Sequence, residues 1–143
     1  MKVQSSTIEN KYLRIKSINI GACLYEVYDK QKKINLILNL GHTKNYSSKN
    51  FYVGATCGRY AGRISNSKFK IKSKIYKLDG NEGKNTLHGG KIGFDRLEWK
   101  IKHHSKTKII YQMLSKNLDQ GFPGDLNSEC IFEIKNKSLI IKY

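Results

Sequence analysis

The sequence predicts an all-β fold, an antiparallel β-sandwich, and three observations support that prediction. Apolar residues alternate with polar ones in several short segments, which is the pattern of half-buried strands. No segment sustains the 3.6-residue period of an amphipathic helix. The short segments recur about every eight to twelve residues, with turn-forming stretches between them. The 143 residues therefore suit a single domain, 1–143, in which we expect the polar residues 1–11 to be frayed.

The first half of the chain contains three predicted strands. Ile18–Leu24 alternates apolar with polar or small residues, so it predicts a strand of period two. Ile34–Leu40 places four apolar residues on one face and two asparagines on the other, which predicts a second strand with Leu38 buried. A polar loop at residues 41–50 then leads to a short predicted strand at Phe51–Ala55.

The second half begins with a lysine-rich stretch at residues 68–75, where lysines alternate with apolar residues. This pattern predicts a half-buried strand or a tight hairpin turning near Ser73, with Ile71 buried. Phe94 and Trp99 should also be buried, because they are large apolar residues within β structure. The remaining strands are predicted at Trp99–Lys102, Thr107–Leu114, Glu129–Ile134 and Leu139–Tyr143, the last two as a β-hairpin.

The formal charge of +16 would suit a nucleic-acid-binding protein, which is one hypothesis for this chain. However, 23 of the 27 basic residues are lysines scattered along the whole length. Arginine, the better residue for phosphate and base contacts, occurs only four times. We therefore interpret the charge as background composition and expect no nucleic-acid partner.

The three cysteines, Cys23, Cys57 and Cys130, form no C-x-x-C pair, so neither a disulfide framework nor a zinc site is expected. We interpret all three as inert packing residues. No apolar run reaches the roughly 18 residues of a membrane span, and the N-terminus lacks the apolar region of a signal peptide. The sequence therefore predicts a cytoplasmic protein with no membrane partner.

Two glycine-rich stretches contain the residues best suited to ligand binding or catalysis. The first motif, GATCGRYAGRI, covers Gly54–Ile64, and the second motif, NTLHGGKIGFDRLEW, covers Asn85–Trp99. Paired glycines let the backbone turn tightly and let a ligand approach closely. A neutral imidazole, here that of His88, offers one donor and one acceptor, which suits a sugar hydroxyl. On spacing alone, the second motif is more typical of a loop with a capping histidine and a core tryptophan.

Together the two motifs resemble the signature of the aldose 1-epimerases, also called galactose mutarotases. That signature reads roughly G-x-x-x-G-R-[YF]-A-[NG]-R-I and then N-x-L-H-G-G…G-F-D-[KR]-x-x-W. A third motif, GFPGDL at Gly121–Leu126, resembles the family's G-[YF]-P-G-[ND]-L loop. The resemblance implies a β-sandwich of the galactose mutarotase type. It covers about residues 12–143, which correspond to the N-terminal two-fifths or so of the family's domain, so the sandwich is expected to be incomplete.

The resemblance also implies a sugar site. Arg63 matches the family's sugar-binding arginine, and the alternative is a salt-bridged surface arginine. His88 matches the histidine that contacts the sugar and assists catalysis, and the alternative is a loop histidine with a structural hydrogen bond. Gly62 departs from the asparagine that many members carry, which removes one amide contact to the substrate. The implied ligand is an aldohexose such as galactose or glucose, with no metal and no cofactor. Asn85, Asp95 and Trp99 match motif positions for which we predict structural roles.

Mutarotation opens and recloses a hemiacetal ring, and it requires a general base and a general acid. In the family the base is a glutamate near the far end of a longer chain, and the acid is a histidine in an Asn-His-[ST]-Tyr-Phe stretch. Neither stretch occurs here, and Glu82 and Glu98 are interpreted as surface carboxylates. We therefore expect an aldose 1-epimerase in a truncated form that is nearly inactive alone and is completed by a C-terminal chain. The alternative is a non-catalytic sugar-binding module or a gene remnant.

Overall fold

The computed structural model of the chain describes residues 2–46 and 52–143. Within these ranges the regular structure is β-strand with short 3-10 turns. The strands are β1 (Ser5–Glu9), β2 (Leu13–Ile18), β3 (Cys23–Asp29), β4 (Ile34–Asn35), β5 (Arg63–Ile64), β6 (Lys68–Ile71), β7 (Lys74–Lys77), β8 (Thr86–Leu87), β9 (Lys100–His104), β10 (Lys108–Ser115), β11 (Leu126–Lys135) and β12 (Ser138–Lys142).

Two four-stranded antiparallel sheets form the body of the fold. The first has the order β1-β2-β3-β4, and the second has the order β12-β11-β10-β9. Two smaller ladders, β5 with β8 and β6 with β7, belong to the segment of chain between the two sheets. The all-β, antiparallel prediction is therefore confirmed.

The two large sheets share one hydrophobic core. Period-two alternation turns Leu13 and Ile15 of β2 inward, and it does the same for Ile109 and Tyr111 of β10. The Tyr111 hydroxyl lies 2.9 Å from the Ser17 hydroxyl across the interior, so the buried phenol has a hydrogen-bond partner. This face-to-face packing is that of a β-sandwich.

Trp99 and Phe94 are buried, as predicted. Trp99 is 2% exposed, and its ring meets that of Phe94 edge to face at 5.7 Å. Its indole Nε1–H donates to the Phe94 carbonyl at 3.0 Å, so the polar atom of the ring is satisfied. Phe94 belongs to a 3-10 turn, Phe94–Arg96, so the prediction that it lies in a strand is wrong.

The prediction that residues 1–11 are frayed is wrong for Ser5–Glu9. These residues form β1, which pairs along its whole length with β2. Ser6 and Ile8 are buried, whereas Ser5, Thr7 and Glu9 face solvent. The stretch reads as polar in sequence because only one of its inward positions carries a large apolar side chain.

The predicted strand at Ile18–Leu24 is interrupted. Gly21 and Ala22 have positive φ angles of 68° and 39°, so the chain turns between β2 and β3. The Gly21 N–H donates to the Leu97 carbonyl, and the Gly21 carbonyl accepts from Thr56 N–H. Ile18 at the end of β2 is buried, and so are Ile20 and Ala22 in the turn region, whereas Leu24 on β3 is partly buried.

Two burial predictions are wrong. Leu38 is 85% exposed, because β4 ends at Asn35 and residues 36–40 form no strand. Ile71 is 47% exposed, because β6 and β7 pair only with each other among the described residues. The hairpin between them is nevertheless confirmed, with its turn at residues 72–73.

The predicted loop at residues 41–50 and the predicted strand at Phe51–Ala55 are only partly described. Residues 47–51 lie outside the described ranges, and residues 52–55 are not a strand. The closing hairpin, β11 with β12, turns at residues 136–137 as predicted.

The cysteines are unpaired, and two of them are buried. Burial raises the pKa of the Cys23 thiol to about 12 and that of Cys130 to about 11, so both stay protonated at neutral pH. Cys57 is half-buried. The described residues contain no helix long and apolar enough to cross a membrane.

Candidate functional site

The first and second motifs are brought together by the short ladder of β5 and β8. Arg63 pairs with Leu87 and Ile64 with Thr86. Beyond the ladder, the His88 N–H donates to the Gly62 carbonyl at 3.0 Å. The two motifs are separated in sequence but form one structural unit.

The two motifs are also in direct contact at Gly89 and Gly58. Gly89 has a φ of 95°, and its Cα packs directly on the carbonyl of Gly58. A Cβ on Gly89 would lie 1.7 Å from that oxygen, which no side chain can tolerate without moving the backbone. The same oxygen accepts a hydrogen bond from the Phe94 N–H at 3.2 Å. Gly89 of the second motif therefore packs against the backbone of the first motif.

His88 is half-buried and held from two sides. Its Nδ1 accepts a hydrogen bond from the Gly62 N–H at 3.0 Å, so the neutral ring carries its proton on Nε2. Its ring contacts Tyr52, with centroids 4.5 Å apart. Within residues 2–46 and 52–143 no hydrogen bond occupies Nε2. His88 is thus fixed in orientation and offers one hydrogen-bond donor.

Arg63 is paired with Glu82. Its Nε donates to one carboxylate oxygen at 2.5 Å, and its Nη2 donates to the other at 2.7 Å. The Arg63 side chain is 62% exposed and that of Glu82 is 36% exposed. Among the described residues, nothing accepts a hydrogen bond from Nη1 of Arg63. The guanidinium therefore keeps free donors on the side away from Glu82.

The turn that contains Glu82 is hydrogen-bonded to β8 and to the residues on either side of it. The Glu82 N–H donates to the Asn85 carbonyl, and the Asn85 N–H donates back to the Glu82 carbonyl. The Asn81 amide donates to the carbonyls of Leu87 and Gly90, and it accepts from the Leu87 N–H at 2.7 Å. These five hydrogen bonds leave the backbone of Glu82 little freedom.

Arg59 ties the first motif to the third. All its guanidinium nitrogens donate, and they make five hydrogen bonds to the segment from Ser115 to Gly124. The acceptors are the Ser115 hydroxyl and the carbonyls of Ser115, Lys116, Pro123 and Gly124. This arginine has a structural role, whereas Arg63 only four residues later is exposed.

We expect Arg59→Lys to lower the free energy of unfolding by about 2 kcal/mol, because an ammonium cannot span these acceptors and leaves several of them unpaired. Urea denaturation of the two proteins side by side measures the loss. The matched control is Arg63→Lys, which alters only an exposed ion pair and should leave the free energy of unfolding nearly unchanged. Equal losses in the two variants would contradict the structural role of Arg59.

Two recesses flank the Arg63–Glu82 pair. A polar cleft of about 640 Å³ is lined by Tyr52, Asn81, Glu82, Lys91 and Arg96 together with neighbouring backbone. An apolar recess of about 490 Å³ is lined by Arg59, Tyr60, Arg63, Ile64, Phe69 and Phe122. The ion pair contributes to both recesses, because Glu82 lines the first and Arg63 lines the second. Each recess is large enough for a hexose.

Charge and burial set the protonation of the groups around the site. The hydrogen bond from Arg63 lowers the pKa of Glu82, so this carboxylate is ionised at neutral pH. Burial raises the pKa of the Tyr52 phenol and of the Asp95 carboxyl. Within the described ranges, no group of three or more His, Cys, Asp or Glu side chains could hold a metal ion.

The structure places both predicted site residues at this junction, Arg63 on β5 and His88 immediately after β8. Their joint contact with a sugar stays a prediction. The sequence did not identify Glu82 and Tyr52 as their partners, because both contacts depend on how loops fold back on the motifs. The only available signal was the position of Glu82 three residues before the second motif, and that position alone does not predict a contact.

The chain matches the family model described as "Aldose 1-epimerase" over residues 4–143. It is 32% identical to an aldose 1-epimerase of Haemophilus influenzae, over 98% of this chain and 42% of that protein. It is also 32% identical to the galactose mutarotase of Sus scrofa, over 99% of this chain and 42% of that protein. The chain thus spans about two-fifths of the length of these relatives.

Solved structures show the same similarity. A homologue of GalM/aldose epimerases from C. elegans superposes with a TM-score of 0.90 at 28% identity, over 98% of this chain and 45% of that one. The galactose 1-epimerase of Lactobacillus acidophilus superposes with a TM-score of 0.82 at 27% identity, over 95% of this chain and 45% of that one. The backbone described above is therefore similar to nearly half of each of these longer chains.

Proposed function

Because this chain belongs to the aldose 1-epimerase family, we propose that it binds a free aldohexose such as galactose or glucose. In this proposal it forms part of a site that interconverts the α and β anomers, and it acts in the cytoplasm. The chain spans less than half of its relatives' length, so a C-terminal polypeptide corresponding to the rest of those proteins is the proposed partner.

The observation that carries this proposal is the meeting of Arg63, Glu82 and His88 where β5 pairs with β8. Arg63 retains free N–H donors, and His88 presents its Nε2–H. Sugar hydroxyls both donate and accept, so these donors and the Glu82 carboxylate can bind neighbouring hydroxyls of one ring. A cationic donor beside the ring also stabilises negative charge that develops on an oxygen as the ring opens.

Titration of the chain with D-galactose, followed by backbone amide NMR, tests the proposal. We expect shifts concentrated at the β5–β8 junction and a dissociation constant that rises at least about tenfold in Arg63→Ala and in His88→Ala. The matched control is Arg14→Ala, which removes a comparable ion pair with Glu26 on the first sheet. Shifts elsewhere in the chain, or equal losses in the control, would contradict the assigned site.

A non-catalytic sugar-binding module is the second candidate, and one observation favours it. Among the described residues, the carboxylate that contacts Arg63 is Glu82, and both of its oxygens are engaged by the arginine. Asp95, which interacts electrostatically with His88, is paired with Arg96. This candidate predicts the same galactose binding but no mutarotation under any condition. Activity after addition of the C-terminal portion distinguishes the two.

A further inference from the structure

We propose that Glu82 is a positioning residue of the sugar site, whose carboxylate fixes the Arg63 guanidinium so that its remaining donors bind two adjacent sugar hydroxyls. The proposal rests on the proposed function and names a residue for it that the motifs do not contain. It reverses the interpretation of Glu82 as an ordinary surface carboxylate.

The first step is the geometry of the pair. Glu82 takes Nε and Nη2 of Arg63, which is the side-on, two-point arrangement between a planar guanidinium and a carboxylate. Among the residues that the structure describes, no acceptor takes the two hydrogens on Nη1 or the second hydrogen on Nη2. They lie along the other edges of the same rigid plane, so fixing one edge fixes the direction of the others. This set of donors suits two neighbouring hydroxyl oxygens.

The second step is the rigidity of the turn that holds the carboxylate. The backbone of Glu82 is hydrogen-bonded to that of Asn85. The side chain of the neighbouring Asn81 is hydrogen-bonded to the backbone of Leu87 and Gly90. His88 follows Leu87 directly. The orientation of Arg63 and the placement of His88 are therefore both set by β8 and the turn before it.

The Arg63–Glu82 ion pair contributes little to the stability of the fold. Exposed ion pairs contribute little to folding, and the Arg63 side chain is largely exposed. Its effect on binding is larger, because a free arginine must lose its rotamer freedom when the sugar binds, whereas a fixed one has already lost it. Removal of the carboxylate should thus weaken galactose binding about three- to tenfold and leave the fold intact.

The test compares Glu82→Gln and Glu82→Asp with the wild-type chain. The matched control is Glu129→Gln, which removes another exposed ion pair, that with Lys102. NMR of the Arg63 Nε and Nη signals measures rotation of the guanidinium, amide shifts measure the dissociation constant for D-galactose, and thermal melting measures stability. We expect Glu82→Gln to free the guanidinium and to weaken binding three- to tenfold, with melting unchanged. Glu82→Asp should recover part of the binding, and the control should bind as wild type does.

The pH profile gives a further readout. The hydrogen bond from Arg63 lowers the pKa of Glu82, so the carboxylate stays charged until the pH falls through that lowered value. Galactose affinity that depends on Glu82 is therefore complete at neutral pH and lost as the pH falls, and the Glu82→Gln protein should lack this step. The same loss of galactose affinity at low pH in the Glu82→Gln protein would overturn the proposal.

Two further outcomes separate the proposal from the function on which it rests. Galactose binding by wild type that is unchanged in Glu82→Gln would overturn the positioning role alone. Failure of the wild-type chain to bind galactose would remove the proposed function and the positioning role with it. Equal weakening in Glu129→Gln would show a general charge effect and would also overturn the proposal.

Discussion

The isolated chain should barely accelerate the mutarotation of fresh α-D-galactose or α-D-glucose. A general acid and a general base each typically contribute about 10² to 10⁴ in rate, and the stretches that carry them in the family do not occur in this sequence. Arg63 and His88 can still bind and polarise the sugar, which leaves at most a trace of activity. Polarimetry with and without the purified chain measures the rate.

Addition of the remaining C-terminal portion in trans should raise that rate by orders of magnitude, because it supplies the acid and the base together. The portion can be taken from a full-length relative such as the H. influenzae aldose 1-epimerase, of which this chain matches 42%. His88→Ala in the mixture should reduce the restored rate, whereas the Arg14→Ala control should not. Robust turnover by the chain alone, abolished by His88→Ala, would show that the acid and base are misassigned.

Gly89→Ala should destabilise the protein by about 3 kcal/mol or more. The added Cβ would lie 1.7 Å from the Gly58 carbonyl oxygen, so the backbone of one motif must move away from the other. That movement also weakens the hydrogen bond that the Phe94 N–H donates to the same oxygen. Urea denaturation followed by tryptophan fluorescence reports the loss, since Trp99 packs against Phe94.

The matched control is Gly62→Ala. Gly62 has a φ of 96°, almost the same as the 95° of Gly89, but a Cβ there meets nothing within 4 Å. Both variants therefore carry the same backbone strain, about 1–2 kcal/mol, and only Gly89→Ala adds the clash. Similar unfolding free energies in the two variants would refute the close approach of the motifs.

Sequence reasoning succeeded where a pattern reports on a single strand and its core. The alternation in β10 and β11 and the aromatic pair of Phe94 and Trp99 were predictable because burial of large apolar groups dominates folding. It failed at Ile71, because alternation shows which face of a strand is apolar but not whether another layer covers that face. It failed at Leu38 for a different reason, because alternation does not show that β4 already ends at Asn35.

The site was predictable in its motif residues but not in its partners. Arg63 and His88 follow from ordered motifs, whereas the contacts of Glu82 and Tyr52 require loops to fold back over the β5–β8 ladder. The motif also does not reveal that Arg59 has a structural role. Arg59 belongs to the same motif as Arg63 and has the same chemistry, and only the three-dimensional path of the third motif shows that Arg59 is structural.

The bonds made by Arg59 also determine which changes in the neighbouring loop the protein can accept. Four of its five acceptors are main-chain carbonyls, which every amino acid provides. The contact therefore depends on the course of the backbone more than on the side chains of this segment, apart from Gly121, where a Cβ would lie 2.2 Å from the Lys77 carbonyl oxygen. An insertion or deletion of a single residue would move the carbonyls out of register with the guanidinium, so loop length is constrained more strictly here than loop composition.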